Sequence, residues 1–230
     1  MILSHRHRFI FLKTTKTGGT SVEIALSRFC GPEDIITPIA PEDEALRSSL
    51  DYPGAQNHEY PVLGYSLRDW LNVLATRKRK RFVNHIPAWR VRRLVGEEVW
   101  GRYYKFCFER NPWDRVISWY HWLYRDKPRP PLSDFVASPE LERLREGGSG
   151  VYTIDGKVAV DRVCRFERLE ADLLALGADA LRLPGPPVLP VTKATFRTDR
   201  RHYHDLLGPS ERDRIAAVFA DEIAWFGYDF

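Results

Sequence analysis

The segment from Phe9 to Leu26 constrains the fold of this chain more than any other. Phe9-Ile10-Phe11-Leu12 is apolar and reads as a buried strand, and Val22-Glu23-Ile24-Ala25-Leu26 reads as the opening turns of a helix. Between them stands Lys13-Thr14-Thr15-Lys16-Thr17-Gly18-Gly19-Thr20-Ser21. A strand, a glycine-containing turn and a helix N-terminus make an anion cradle, because backbone N–H groups and the helix dipole point at the same spot. Gly18 and Gly19 let the backbone come close to an anion, and Lys16, Thr17, Thr20 and Ser21 bring charge and hydroxyl donors. The order differs from the triphosphate pattern G-x-x-x-x-G-K-[ST]: no glycine opens the loop, and Lys16 precedes the glycine pair. Taken alone, the segment also fits an ordinary strand-to-helix turn with a solvated lysine.

A second segment narrows the choice. Tyr104, Phe106 and Phe108 alternate with Lys105, Cys107 and Glu109, which predicts a strand ending at Arg110. Asn111 suits a helix N-cap, and Pro112 suits the first helical position, where a missing N–H leaves no bond unmade. Arg110 then stands at the carboxyl end of a strand, with Ser118 about two turns into the next helix. Open α/β sheets bind ligands at that edge, so the glycine loop and Arg110 are expected on one rim.

Lys-Thr-Gly-Gly-Thr-Ser at 16–21, followed about ninety residues later by Arg-Asn-Pro-Trp-Asp-Arg-Val-Ile-Ser-Trp-Tyr at 110–120, resembles the sulfotransferases that use 3′-phosphoadenosine 5′-phosphosulfate (PAPS). The similarity is greatest to the carbohydrate-type branch that contains the heparan sulfate 2-O-sulfotransferases and bacterial relatives. It extends to Val-Asn-His-Ile-Pro-Ala (83–88), residues 97–106, Arg-Phe-Glu-Arg-Leu-Glu-Ala-Asp (165–172) and the final Phe-Gly-Tyr-Asp-Phe, and is loose over 31–80 and 125–160. The resemblance implies a three-layer, P-loop-like α/β fold with a central, mainly parallel sheet flanked by helices, as one domain over 1–230. It implies that Lys16, Thr17, Gly18, Gly19, Thr20 and Ser21 hold the 5′-phosphosulfate and that Arg110 and Ser118 hold the 3′-phosphate. Lys13 matches a further basic position of the family. Phe166 is a candidate to stack on adenine, and Lys193 and Thr195 fall in a loop that closes over the nucleotide in the relatives.

Sulfuryl transfer to a hydroxyl needs a base for the acceptor proton, charge stabilisation on the leaving phosphate and in-line geometry. Lys16 is the candidate for the leaving side. His85 is the leading base: its residue type titrates near neutrality, it lies between the two motifs, and its place matches the catalytic histidine of the 2-O-sulfotransferase relatives. His121, one turn beyond Ser118, is the rival, and His58 with Glu59 comes third. Asp114 and Arg115 are expected to form local ion pairs, and Trp113, Trp119 and Trp122 to be core unless one faces the cleft. The resemblance implies PAPS as cosubstrate, with no metal required.

Length and composition fit this reading. A chain of 230 residues with 43% hydrophobic and 29% charged residues is enough for one globular core. The apolar run before Lys13 is too short for a signal peptide, and no stretch nears the ~20 apolar residues of a membrane span; a cytoplasmic protein without a membrane span is expected. The three cysteines have no metal-ligand spacing. The basic run Arg77-Lys78-Arg79-Lys80-Arg81 follows a helical-looking segment and reads as a solvated helix end, an anionic-acceptor patch or a nucleic-acid patch; no nucleic-acid motif accompanies it. A small-molecule or glycan hydroxyl is the expected acceptor, whose identity, like the oligomeric state, is written in no motif. Residues 31–66 have weak periodicity and predict a long substrate-side loop or lid. A hairpin is expected to turn at Asp155-Gly156, and a last helix capped by Ser210 to run to about Trp225.

Overall fold

The computed structural model describes residues 1–60, 62, 65–190, 199 and 201–230. Strands β1 (Ile2–Ser4) and β2 (Phe9–Phe11) form a hairpin, followed by α1 (Gly19–Ser27) and by β3 (Ile35–Ile36), which pairs antiparallel with β1. Helices α2 (Pro41–Ser49), α3 (Leu67–Thr76) and α4 (Ala88–Arg102) lead to β4 (Tyr104–Glu109) and α5 (Pro112–Leu123). Then come α6 (Leu132–Ala137), α7 (Glu140–Glu146), α8 (Ser149–Tyr152), the hairpin of β5 (Thr153–Ile154) and β6 (Lys157–Val158), and β7 (Arg162–Arg165). Helices α9 (Leu169–Ala175), α10 (Pro209–Val218) and α11 (Ala220–Phe226) complete the chain.

The main sheet has the order β3-β1-β2-β4-β7. Pairs β2–β4 and β4–β7 are parallel, whereas β1–β2 and β1–β3 are antiparallel. The sheet is thus mixed, which corrects the expectation of a mainly parallel one. The reason is local: only His5 to Arg8 separate β1 from β2, and a parallel crossover needs a dozen residues or more. Side-chain alternation divides the core between two faces. Ile2, Phe9, Phe11, Phe106 and Phe108 pack with Val22 and Leu26 of α1 and Leu173 of α9. Leu3, Ile10, Leu12 and Cys107 pack with Val91 and Trp100 of α4 and with Tyr152. Helices therefore flank both sides of the sheet.

The predicted starts and turns are present where a local signal exists. The Asn111 side chain accepts hydrogen bonds from the N–H groups of Trp113 and Asp114, with Pro112 first in α5. Asp155 and Gly156 turn the β5–β6 hairpin with φ of 50° and 72°. Two expectations are corrected. The last helical stretch is two helices, begun by Gly208 and Pro209 and divided at Phe219, whose ring is buried at the break. Residues 31–66 contain β3 and α2; the inward residues of α2 are Asp43 and Arg47, so no apolar period announces it. Among the described residues no helix is long and apolar enough to cross a membrane.

Candidate functional site

A cavity of about 650 Å³ opens at the carboxyl ends of β2 and β4. It is bordered by the glycine loop, by Asn84 and His85, by Arg110, by Ser118, Trp119 and Trp122 of α5, and by Phe166 and Leu169. Two segments about ninety residues apart in sequence therefore share one rim, as the strand-end argument requires.

The loop owes its shape to backbone conformations that side chains seldom adopt. Lys16 and Gly18 are both left-handed, with φ of 66° and 73°. Gly18 is the N-cap of α1 and, lacking a side chain, makes no side-chain cap bond. A Cβ at Gly18 would stand 2.9 Å from Leu169, and one at Gly19 would stand 2.8 Å from the Lys13 stem. Both glycines are needed for close packing, at Gly18 on top of the conformational demand. An uncapped helix start facing a cavity directs its N–H groups and dipole at whatever fills it.

Buried ion pairs underlie the loop. Lys13 Nζ donates to Glu23 Oε2 at 2.8 Å, the Met1 amine to Glu23 Oε1 at 3.0 Å, and the Arg47 guanidinium lies 4.0 Å from the same carboxylate. Burial would raise the pKa of Glu23, but the Met1 ammonium and Lys13 outweigh it and hold the carboxyl at about 2. Arg115, fully buried, donates to Thr15 O at 2.9 Å, Glu109 Oε1 at 2.9 Å and Leu144 O at 2.8 Å. Glu109 also accepts from Tyr152 Oη at 3.0 Å and from the Arg110 N–H at 3.0 Å. One carboxylate and one guanidinium thus join the loop, the end of β4 and α7–α8.

Arg110 is held in a defined plane. Its Nε and Nη2 donate to Asp114 Oδ2 at 2.8 and 2.6 Å, and its Nη1 donates to Lys16 O at 3.1 Å. The guanidinium lies over the Phe166 ring, 4.0 Å from the centroid. One face of Phe166, the candidate adenine platform, is therefore covered by Arg110. Trp119 and Trp122, which also border the cavity, stack with centroids 4.8 Å apart, and Lys16 Nζ is 5.6 Å from the Trp122 ring. Trp113 is core, with its indole N–H on Arg212 O.

His85 has a left-handed backbone, φ 55°, and stands at the exposed mouth of the cavity. Its Nδ1 lies 2.8 Å from Lys13 O. A carbonyl only accepts, so Nδ1 carries the proton and Nε2 the lone pair. Enclosure of part of the ring by the cleft wall, followed by the Lys13 ammonium, pushes the pKa down to about 4, so the ring is neutral at pH 7.

Other predicted residues fall elsewhere. The Thr17 hydroxyl is buried and bonds to Thr14 Oγ1 at 2.7 Å inside the loop, so, against expectation, this side chain does not line the cavity. Lys13 borders the cavity, but its ammonium is engaged by Glu23. His121 is buried away from the cavity lining, and Glu59 pairs with Arg79 at 3.3 Å on an exposed surface. Lys193 and Thr195 lie outside the described residues.

Sequence reasoning missed the support from 147–148. Thr15 N donates to Gly147 O at 2.7 Å, and a Cβ at Gly148 would stand 2.1 Å from the Arg115 guanidinium. The Gly-Gly pair at 147–148 was the available signal, but nothing local ties it to position 115. The terminal residues were also missed as support: Asn111 Nδ2 donates to Asp229 O at 3.1 Å, and Phe230 packs edge-on against Trp113.

These features define an α/β protein with a cationic, glycine-looped cleft at the edge of the parallel half of its sheet. The chain belongs to one family with an Archaeoglobus fulgidus protein described as an uncharacterized protein, to which it is 36% identical over 91 residues, 38% of this chain and 76% of that one. No protein-family model matches the chain. No solved structure matches it.

Proposed function

We propose that this protein is a sulfotransferase that moves the sulfuryl group of PAPS to a hydroxyl of a carbohydrate or glycoconjugate. The observation that supports the reading best is the convergence of Lys16, the uncapped start of α1, Arg110, Ser118 and His85 on one cavity. Its volume of about 650 Å³ suits a cofactor-sized ligand. That β2 runs through the glycine loop into α1 and pairs parallel with β4 also supports the reading.

The residues fit such a ligand. Gly18 and Gly19 keep the cradle open, and the N–H groups that begin α1 suit a phosphate-like anion. Bound there, PAPS supplies an activated sulfuryl group and leaves as 3′,5′-ADP. Residues 16–21 hold its 5′ end, while Arg110, set by Asp114, and Ser118 hold the 3′-phosphate. His85 Nε2 accepts the acceptor's hydroxyl proton while Nδ1 keeps its bond to Lys13 O. As the acceptor oxygen bonds to sulfur and the bridging sulfur–oxygen bond breaks, the Lys16 ammonium neutralises charge on the departing phosphate oxygen. An anionic ligand also raises the pKa of His85 toward the range where a base is effective.

Calorimetry tests the binding half. The expected result is tight 3′,5′-ADP binding without magnesium; binding of ATP only with magnesium overturns the reading in favour of a kinase-type site. Sulfation of a glycan panel with labelled PAPS tests the chemistry. His85→Ala should lower turnover by roughly 10²–10⁴-fold, and unaltered turnover removes His85 as the base.

A further inference from the structure

We propose that α3 and the basic run 77–81 form a peripheral docking surface for an anionic lipid bilayer. This inference does not rest on the sulfotransferase reading. The chain leaves and rejoins the body through a narrow neck, where Tyr60 N donates to Lys80 O at 2.9 Å and Phe82 N to His58 O at 2.7 Å. The helix carried beyond this neck is turned inside out. Its one buried residue is Asp69, which caps with Ser66 and pairs with Lys80 Nζ at 2.5 Å. Lys80 Nζ in turn lies 5.6 Å from the Tyr60 ring and 5.9 Å from the Tyr65 ring. The inner side is therefore polar and aromatic.

The apolar side faces outward. Leu67, Leu71 and Leu74 are 86%, 65% and 76% exposed, and Trp70 is 46% exposed. Their spacing of i, i+3, i+4 and i+7 places them on one helical face. A soluble domain turns such a face toward its core, so its exposure marks a contact surface. Positive charge follows it directly in the chain. Residues 58–81 contain six Lys or Arg and two Asp or Glu, a net charge of +4, equal to that of the whole chain. Arg77, Lys78, Arg79 and Arg81 are exposed.

The combination selects the partner. A nucleic-acid backbone would pair with the cations and leave the leucine ridge in water. An anionic bilayer takes both: headgroups meet the basic residues, acyl chains receive Leu67, Leu71 and Leu74, and an indole sits at the boundary. Three residues after the neck comes His85, so the docked element is continuous in sequence with the cleft.

The test uses the full chain with vesicles of phosphatidylcholine alone or mixed with phosphatidylglycerol. Co-sedimentation with the mixed vesicles, falling with added salt, is expected. Leu67→Ser/Leu71→Ser/Leu74→Ser should weaken it by about tenfold or more, with an unchanged circular dichroism spectrum. Acyl-brominated phosphatidylglycerol should quench tryptophan fluorescence in the parent and less in Trp70→Phe, a readout that does not depend on the leucine variant folding. Absence of binding overturns the proposal. So does binding retained by a folded triple-serine variant, or a preference for double-stranded DNA over vesicles that the leucine substitutions leave intact.

Discussion

The floor of the glycine loop and the 58–82 excursion both concentrate positive charge, and they place it in opposite ways. Under the loop, Lys13, Arg47 and Arg115 are almost wholly buried, and each has a carboxylate partner, Glu23, Glu44 or Glu109. On the excursion, Arg77, Lys78, Arg79 and Arg81 are exposed, and the buried position is taken by Asp69. A buried cation fixes the shape of its surroundings, because its loss leaves an uncompensated partner in a low-dielectric site. An exposed cation acts on whatever approaches and contributes little to stability. The floor is thus architecture for the cleft, and the excursion is surface.

Substitutions in the two regions should separate sharply. Arg115→Ala removes one ion pair and two carbonyl bonds beneath the loop and should destabilise the protein by about 3–5 kcal/mol in urea denaturation. A shift within error would abolish the distinction between floor and surface. Next in size, Arg110→Ala should weaken 3′,5′-ADP binding by about 2–4 kcal/mol by calorimetry, because a guanidinium already oriented by Asp114 is lost from the cleft. Unchanged affinity would take Arg110 out of the site.

A pH effect comes third. The free protein's His85 should titrate at about 4 by imidazole NMR, since its neutral form is favoured at the cleft mouth. On 3′,5′-ADP binding the titration should move upward, because added negative charge favours the imidazolium, each unit being worth about 1.4 kcal/mol. Movement downward, or none, would separate His85 from the anion site. The folded value lies below the ordinary histidine value of 6.5, so its contribution to stability is present above that value and is lost as pH falls toward about 4. The smallest effect belongs to the excursion: Leu71→Ser should change stability by less than about 0.5 kcal/mol, and a larger loss in urea denaturation would mean that the outer face of α3 is part of the core.

Much of the cleft was legible in the sequence because its signals are local. The apolar run before Lys13, the glycine pair, the alternation through Tyr104–Phe108 and the Asn111-Pro112 cap each report on neighbours a few residues away, and all fall where the structure has them. The helix α2 was hidden because its inward residues are charged. Strand β3 was hidden because two residues carry no readable period.

By itself the sequence determined a strand, a glycine turn and a helix at 9–27, a strand running to Arg110, and the capped helix that carries Ser118. Through the strand ends it also placed the glycine loop and Arg110 on one rim. Tertiary structure alone decided that Thr17 turns inward and that Lys13 serves Glu23. It also decided that His85 bonds the Lys13 carbonyl and that the apolar face of α3 looks outward. The physical reason is reach. Caps, turns and periodicity are written within one or two turns of chain, whereas the partner of a buried charge and the side of a helix that meets water depend on residues tens of positions away.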